Sequence, residues 1–137
     1  MKTLLWVDDD ISASLDAFSD ELKEAGYNII GAKTPEEMWD KLKSNNINGI
    51  ILDIMMPTGE KITKEESQMG VKTGFVLAKK LRDEKSEYKN IPLIIFTILN
   101  DSDISLWASE NNIPFLVKQY TLPHELLEVM EKFGIEK

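Results

Sequence analysis

The feature that most limits what this chain can fold into is a five-fold alternation of short apolar runs with amphipathic stretches. The runs are Leu4–Val7, Asn28–Gly31, Ile50–Leu52, Leu93–Phe96 and Phe115–Val117, rich in β-branched or aromatic residues. Each is too short for a helix and suits a buried strand. Between them apolar residues recur at steps of three and four, as on one face of a helix. Ile11, Leu15, Phe18 and Leu22 form the first such face, and Met38, Trp39 and Leu42 the second. Phe75, Ala78 and Leu81 follow, then Ile104 with Trp107, and last Leu122, Leu126, Met130 and Phe133. Thr34-Pro35-Glu36-Glu37 reads as a helix start, with Thr34 as cap, Pro35 in the first turn and Glu37 closing a capping box. Strands alternating with helices in this way predict an α/β fold, a parallel sheet covered by helices on both faces. The near-continuous apolar character of the strands predicts that both faces are buried.

One stretch breaks the rhythm. Residues 58–73 are charged, contain Gly59 and Gly70, and lack a long apolar face. Within them Thr63-Lys64-Glu65-Glu66 has the pattern of a capped short helix. The stretch is read as a surface insertion after the third strand, since loop closure becomes costlier only slowly with length. A lid or docking element is the alternative, because the stretch begins close to Asp53. With 137 residues and no internal repeat, one domain over 1–137 with one core is expected.

Composition narrows the function classes. There are no cysteines, which excludes disulfides and thiolate metal sites and suits the cytoplasm. No stretch approaches the roughly 20 apolar residues that span a bilayer, so no membrane segment is expected. Leu4–Val7 is too short for a signal peptide. Sixteen basic against 24 acidic residues leave a net charge of −8. Phosphate backbones repel such a surface, so nucleic acid is not an expected direct partner. A cation, or a basic patch on a partner protein, suits it better.

The strand ends carry the chemistry. In an open parallel sheet, ligands bind beyond the carboxyl ends of the strands, where the strand order reverses. Here the first strand runs into Asp8-Asp9-Asp10, the third into Asp53, the fourth ends in Thr97 and the fifth in Lys118. Taken singly, each has a plain structural reading; an Asp after a strand is commonly the cap of the next helix. Together they converge on one edge. Two carboxylates about 5 Å apart at an effective dielectric near 20 repel by roughly 3 kcal/mol, so three demand protonation or a cation. Oxygen donors without His or Cys favour Mg²⁺. An Asp carboxylate is also a nucleophile toward phosphoryl groups, forming an acyl phosphate. Phosphoryl transfer needs mainly positioning and charge neutralisation, which a cation, a lysine and a hydroxyl supply.

With these residues the chain resembles the receiver domains of two-component response regulators. The resemblance rests on Leu4-Leu5-Trp6-Val7-Asp8-Asp9, Ile51-Leu52-Asp53-Ile54-Met55-Met56-Pro57, Ile94-Ile95-Phe96-Thr97 and Phe115-Leu116-Val117-Lys118, in order and at family-like spacings. It covers the chain apart from the 58–73 stretch. It implies a flavodoxin-like, doubly wound sheet of order 2-1-3-4-5. It implies Asp53 as phosphoacceptor, with Asp8, Asp9, Asp53 and the backbone carbonyl of Met55 holding Mg²⁺. Thr97 would bond the phosphoryl oxygen and Lys118 would pair with it. Phe115 occupies the position of the aromatic switch residue, with a plain core role as the alternative. The implied activity is that of a signalling phosphoacceptor rather than an enzyme. A sensor histidine kinase or a phosphotransfer protein would supply the phosphoryl group. The output, absent from the residues after Phe133, would come through an unknown downstream protein, or the chain is a fragment of a longer regulator.

Departures from the family pattern are local. The usual Pro after the fifth-strand lysine is Gln119, so the usual cis geometry is not expected. Ile98 replaces a small residue after Thr97, which narrows access for phosphodonors. Gly74 matches a glycine that normally follows the Pro57 position closely. Met55 and Leu99 stand two positions after Asp53 and Thr97, where family side chains flank the path of a hydrolytic water. Two other readings remain. One is a haloacid-dehalogenase-like phosphohydrolase, suggested by Asp8-Asp9-Asp10-Ile11-Ser12, which leaves Asp53 unexplained and lacks a strand-end acidic pair after Lys118. The other is an unphosphorylated pseudo-receiver that kept the acidic pocket.

Overall fold

The computed structural model describes residues 2–10, 16–60, 62–68 and 70–133. These form β1 (Thr3–Val7), α1 (Asp16–Glu24), β2 (Asn28–Ala32), α2 (Pro35–Ser44), β3 (Gly49–Leu52), α3 (Lys64–Ser67), α4 (Thr73–Arg82), β4 (Leu93–Thr97), α5 (Ser102–Glu110), β5 (Phe115–Val117) and α6 (Pro123–Lys132). All five expected strands are present, each within a residue of its apolar run. Ile11 and Leu15, expected on the first helix, lie outside the described residues, as does Ser12.

The strands form one parallel sheet in the order β2-β1-β3-β4-β5. The pleat sorts their side chains, because successive residues point to opposite faces. Leu5 and Val7, Ile50 and Leu52, and Leu93 and Ile95 join Met38, Leu42, Leu77, Leu81, Ile104 and Ala108 in one core layer under α2, α4 and α5. Leu4 and Trp6, Ile51, and Ile94 and Phe96 pack with Leu22, Leu126 and Met130 in the other, under α1 and α6. The sheet is therefore doubly wound.

Burial on both faces holds for β1, β3 and β4, which are almost wholly buried. It fails for β2 and β5, where only Ala32 is fully buried. These are the edge strands, each with a single strand neighbour, so one side of each is left open. The last helix differs from expectation too. Leu126 and Met130 are buried, but Leu122 and Phe133 are 57% and 44% exposed. Both stand at the ends of α6, beyond the reach of the layer beneath, so the period continues where the packing does not.

Local signals hold more closely. The Thr34 hydroxyl accepts the Glu37 N–H and Pro35 opens α2. The Glu37 carboxylate reaches one residue further back than a capping box does, accepting the Lys33 N–H. Thr63 and Glu66 form a complete capping box at α3. The described residues of the 58–73 segment are also tied to the rest of the fold. Ile62 is buried in the larger core layer, the Met56 N–H donates to the Gly70 carbonyl at 3.2 Å, and the Glu60 N–H donates to the Glu36 carboxylate at 3.3 Å.

Candidate functional site

In this strand order the chain leaves β1 toward β2 on one side and later returns to β3 on the other, so β1 and β3 flank the switch point where ligands bind in such sheets. Asp8 and Asp53 follow these two strands directly. Ladder-like bonds continue past the strand ends, Asp8 N–H to the Ala32 carbonyl and Asp53 N–H to the Val7 carbonyl, both at 2.9 Å. Both side chains are thus fixed by the sheet, and both residues are buried. Asp9 is exposed beside them, and ligand atoms of Asp8, Asp9 and Asp53 lie within 4.8 Å of one another.

Lys118 comes in from the end of β5. Its ammonium donates to Asp8 Oδ2 at 2.6 Å and to Asp53 Oδ2 at 3.3 Å, and stands 5.9 Å from the centre of the Phe96 ring. Burial works against its charge, but the hydrogen bond it donates to Asp8 and the charges of Asp53 and Asp8 outweigh it and raise its pKa. For Asp53, burial is the largest influence and raises the carboxyl above its usual range. The Thr97 hydroxyl beside it lowers it, Asp8 raises it and Lys118 lowers it again. One lysine facing three carboxylates leaves an excess of negative charge on hard oxygen donors. The arrangement fits a divalent cation.

Thr97 is fully buried at the end of β4, and its hydroxyl accepts the Leu99 N–H at 3.2 Å. The Met55 N–H lies 3.4 Å from Asp53 Oδ1, which curls the loop after β3 around the carboxylate. Gly74 explains why α4 can start so close. A Cβ there would collide with the Asp53 carbonyl oxygen, and the Gly74 N–H donates to the Ile54 carbonyl at 2.8 Å. Phe115 is half-buried at the start of β5, in register with Ile95 and packed on the larger core layer, away from the carboxylates. At Gln119 the chain enters a 3-10 turn, Lys118–Tyr120, and every described peptide bond is trans.

A cleft of about 460 Å³ opens over Asp53, lined also by Asp9, Asp10, Phe18, Met55, Ile98, Lys118 and Gln119. A second, of about 430 Å³, lies on the other side of Asp9 and Met55 and is lined by Pro57, Thr58, Lys64 and Gly70. The 58–73 segment thus borders the acidic corner. Sequence reasoning overlooked Phe18 as a wall of the cleft, since its helical spacing marked it only as core. It also overlooked Lys72 and Asp101, which form an ion pair at 3.3 Å and carry no motif.

Fold and strand-end chemistry together define a class. The chain has the architecture of CheY-like response-regulator receiver domains. It superposes on the chemotaxis response regulator CheY4 of Vibrio cholerae with a TM-score of 0.71, at 26% identity, covering 97% of this chain and 98% of that one. For a putative response regulator from Chloroflexus aurantiacus J-10-fl the TM-score is 0.73 at 25% identity, with 96% of both chains covered. Over 98 residues, 71% of its length, the chain is 31% identical to the CAI-1 autoinducer sensor kinase/phosphatase CqsS of Vibrio cholerae serotype O1, and it spans 12% of that protein. No protein-family model matches it. The receiver fold supports a response-regulator function in two-component signalling, and the aspartate cluster is consistent with a phosphoacceptor site able to bind a metal ion. Among the described residues no helix is long and apolar enough to cross a membrane.

Proposed function

We propose that the chain is one receiver domain, with 58–73 as an insertion, that accepts a phosphoryl group on Asp53 and thereby switches its binding to a partner protein. The observation that carries this reading is the Asp53 carboxylate, buried at the switch point between two other aspartates and the Lys118 ammonium. Asp8, Asp9, Asp53 and the Met55 carbonyl would hold Mg²⁺. When bound, the ion offsets the charge of the carboxylates and of the incoming phosphoryl oxygens.

The donor is a phosphohistidine on a sensor histidine kinase or a phosphotransfer protein. An Asp53 oxygen attacks phosphorus in line with the donor's P–N bond. A P–O bond forms, and the imidazole leaves with the bonding pair and takes a proton from solvent. Lys118 remains as a counter-charge beside the new acyl phosphate, and the Thr97 hydroxyl is placed to bond a phosphoryl oxygen. Turning of Phe115 as Thr97 shifts would pass the change to the β5 edge. The setting would be the cytoplasm, and the role that of a signalling domain rather than a turnover enzyme.

Incubation with Mg²⁺ and acetyl phosphate, read by intact mass, is expected to add one phosphoryl group to the wild type and none to Asp53→Asn. Equal labelling of both would remove Asp53 from the role. No labelling of either would favour an unphosphorylated interaction module.

A further inference from the structure

The loop after Thr97, residues 98–101, is tied to its neighbours on two sides. On one side the Gln119 side-chain amide donates to the Ile98 carbonyl oxygen at 3.2 Å. Ile98 is adjacent to Thr97 and Gln119 to Lys118, so this bond joins the segments that carry those two residues. On the other side Lys72 Nζ lies 3.3 Å from Asp101 Oδ2, with side chains 23% and 19% exposed. Lys72 stands at the N-cap position of α4, two residues before Gly74, the residue pressed against the Asp53 backbone. Asp101 caps α5, accepting the Ile104 N–H at 3.0 Å. That amide chiefly, against some opposition from burial and with help from Lys72, holds the Asp101 carboxyl below its ordinary range, so it is charged at neutral pH.

We propose that Lys72, Asp101 and Gln119 are positioning residues that hold the Thr97 loop in register with Asp53 on one side and with Lys118 on the other. The hydroxyl and the ammonium then stand in place before a phosphoryl group arrives. This role rests on the phosphoacceptor reading of Asp53. Each tie is partly exposed and modest by itself. Acting from opposite sides of four residues, the two leave the loop little freedom to slide. Phosphoryl transfer draws on positioning and electrostatics more than on covalent help, so small displacements of Thr97 have large effects on rate. The tie at Gln119 also depends on the residue type, since a proline there has no side-chain donor.

The test compares wild type, Lys72→Met, Gln119→Leu, the double variant and the conservative Lys72→Arg. Labelling by acetyl phosphate with Mg²⁺ is followed in time by intact mass, and Mg²⁺ affinity is titrated separately. Each single change is expected to slow labelling about 3-fold and the pair about 10-fold, with Lys72→Arg close to wild type. Mg²⁺ affinity should stay within about 2-fold, because the carboxylates follow β1 and β3. In the metal-free protein the Leu99 amide, bonded to the Thr97 hydroxyl, should exchange hydrogen faster in the double variant. Wild-type labelling rates and Leu99 exchange in that variant overturn the positioning role. So does a loss of rate matched by an equal loss of Mg²⁺ affinity, which marks general loosening. Labelling of Asp53→Asn as fast as wild type instead overturns the phosphoacceptor reading, and this role with it.

Discussion

Burial raises the Asp53 carboxyl, the Thr97 hydroxyl and Lys118 pull it down, and Asp8 pushes it up again, with a net rise above the unfolded value near 3.8. A folded state that holds this proton more tightly than the unfolded chain is penalised once the proton is lost. The penalty is absent below about pH 3.8 and grows as pH rises from there through the raised folded value. Asp53→Asn is therefore expected to raise the Tm of the metal-free protein at neutral pH. The advantage should fade on acidification across that window, and thermal unfolding against pH checks it. Lys118 keeps Asp8 as partner in this variant, so no buried charge is orphaned. A second residue-scale expectation concerns the lifetime of the phosphorylated form. Met55 lines the cleft and Leu99 is half-buried on the core, and neither can orient a water by a strong hydrogen bond. Phosphoryl loss should be slow in the wild type and faster in Met55→Asn/Leu99→Gln, by about 10-fold or more. Equal rates, with unfolding checked separately, would show that apolar shielding does not set the lifetime.

At the scale of elements, α4 matters most because its first turn rests on the loop that carries Asp53. Gly74→Ala places a methyl group against the Asp53 carbonyl, backbone that cannot swing aside as a flexible side chain would. Overpacking of this kind costs about 1–3 kcal/mol, and denaturant unfolding should show it. Because the strain falls on Asp53 and Ile54, labelling should slow in the same variant even where it remains folded. The caps of α2 and α3 were legible beforehand because they are local: Thr34 and Thr63 meet their partners three residues on. The exposure of Leu122 and Phe133 was not legible. Helical spacing places residues on one face but does not say where the opposing layer stops.

Over the whole molecule, the acidic corner joins folding to ion binding. Asp9 is exposed, so its removal should change the metal-free protein little, while Asp8 and Asp53 are held inside beside Lys118. Mg²⁺ at about 100 times its dissociation constant should stabilise the wild type by roughly 2.7 kcal/mol through mass action, and Asp9→Asn much less at the same concentration. Identical shifts of Tm in both would take Asp9 out of the ion site. The amino-acid sequence by itself determined the five strands, the helices between them, two of the caps and the chemistry waiting at the strand ends. These follow from periodicity and from contacts a few residues apart. Tertiary structure decided which strands became edges, and so why β2 and β5 are only half-covered. It decided that Lys118 reaches both Asp8 and Asp53, that Phe18 walls the cleft, and that Gln119 and Lys72 tie down the loop after Thr97. Alternation buries the apolar runs equally well in many strand orders, and a pair such as Lys72 with Asp101 has no local period. Only the packed sheet brings such residues within reach of each other.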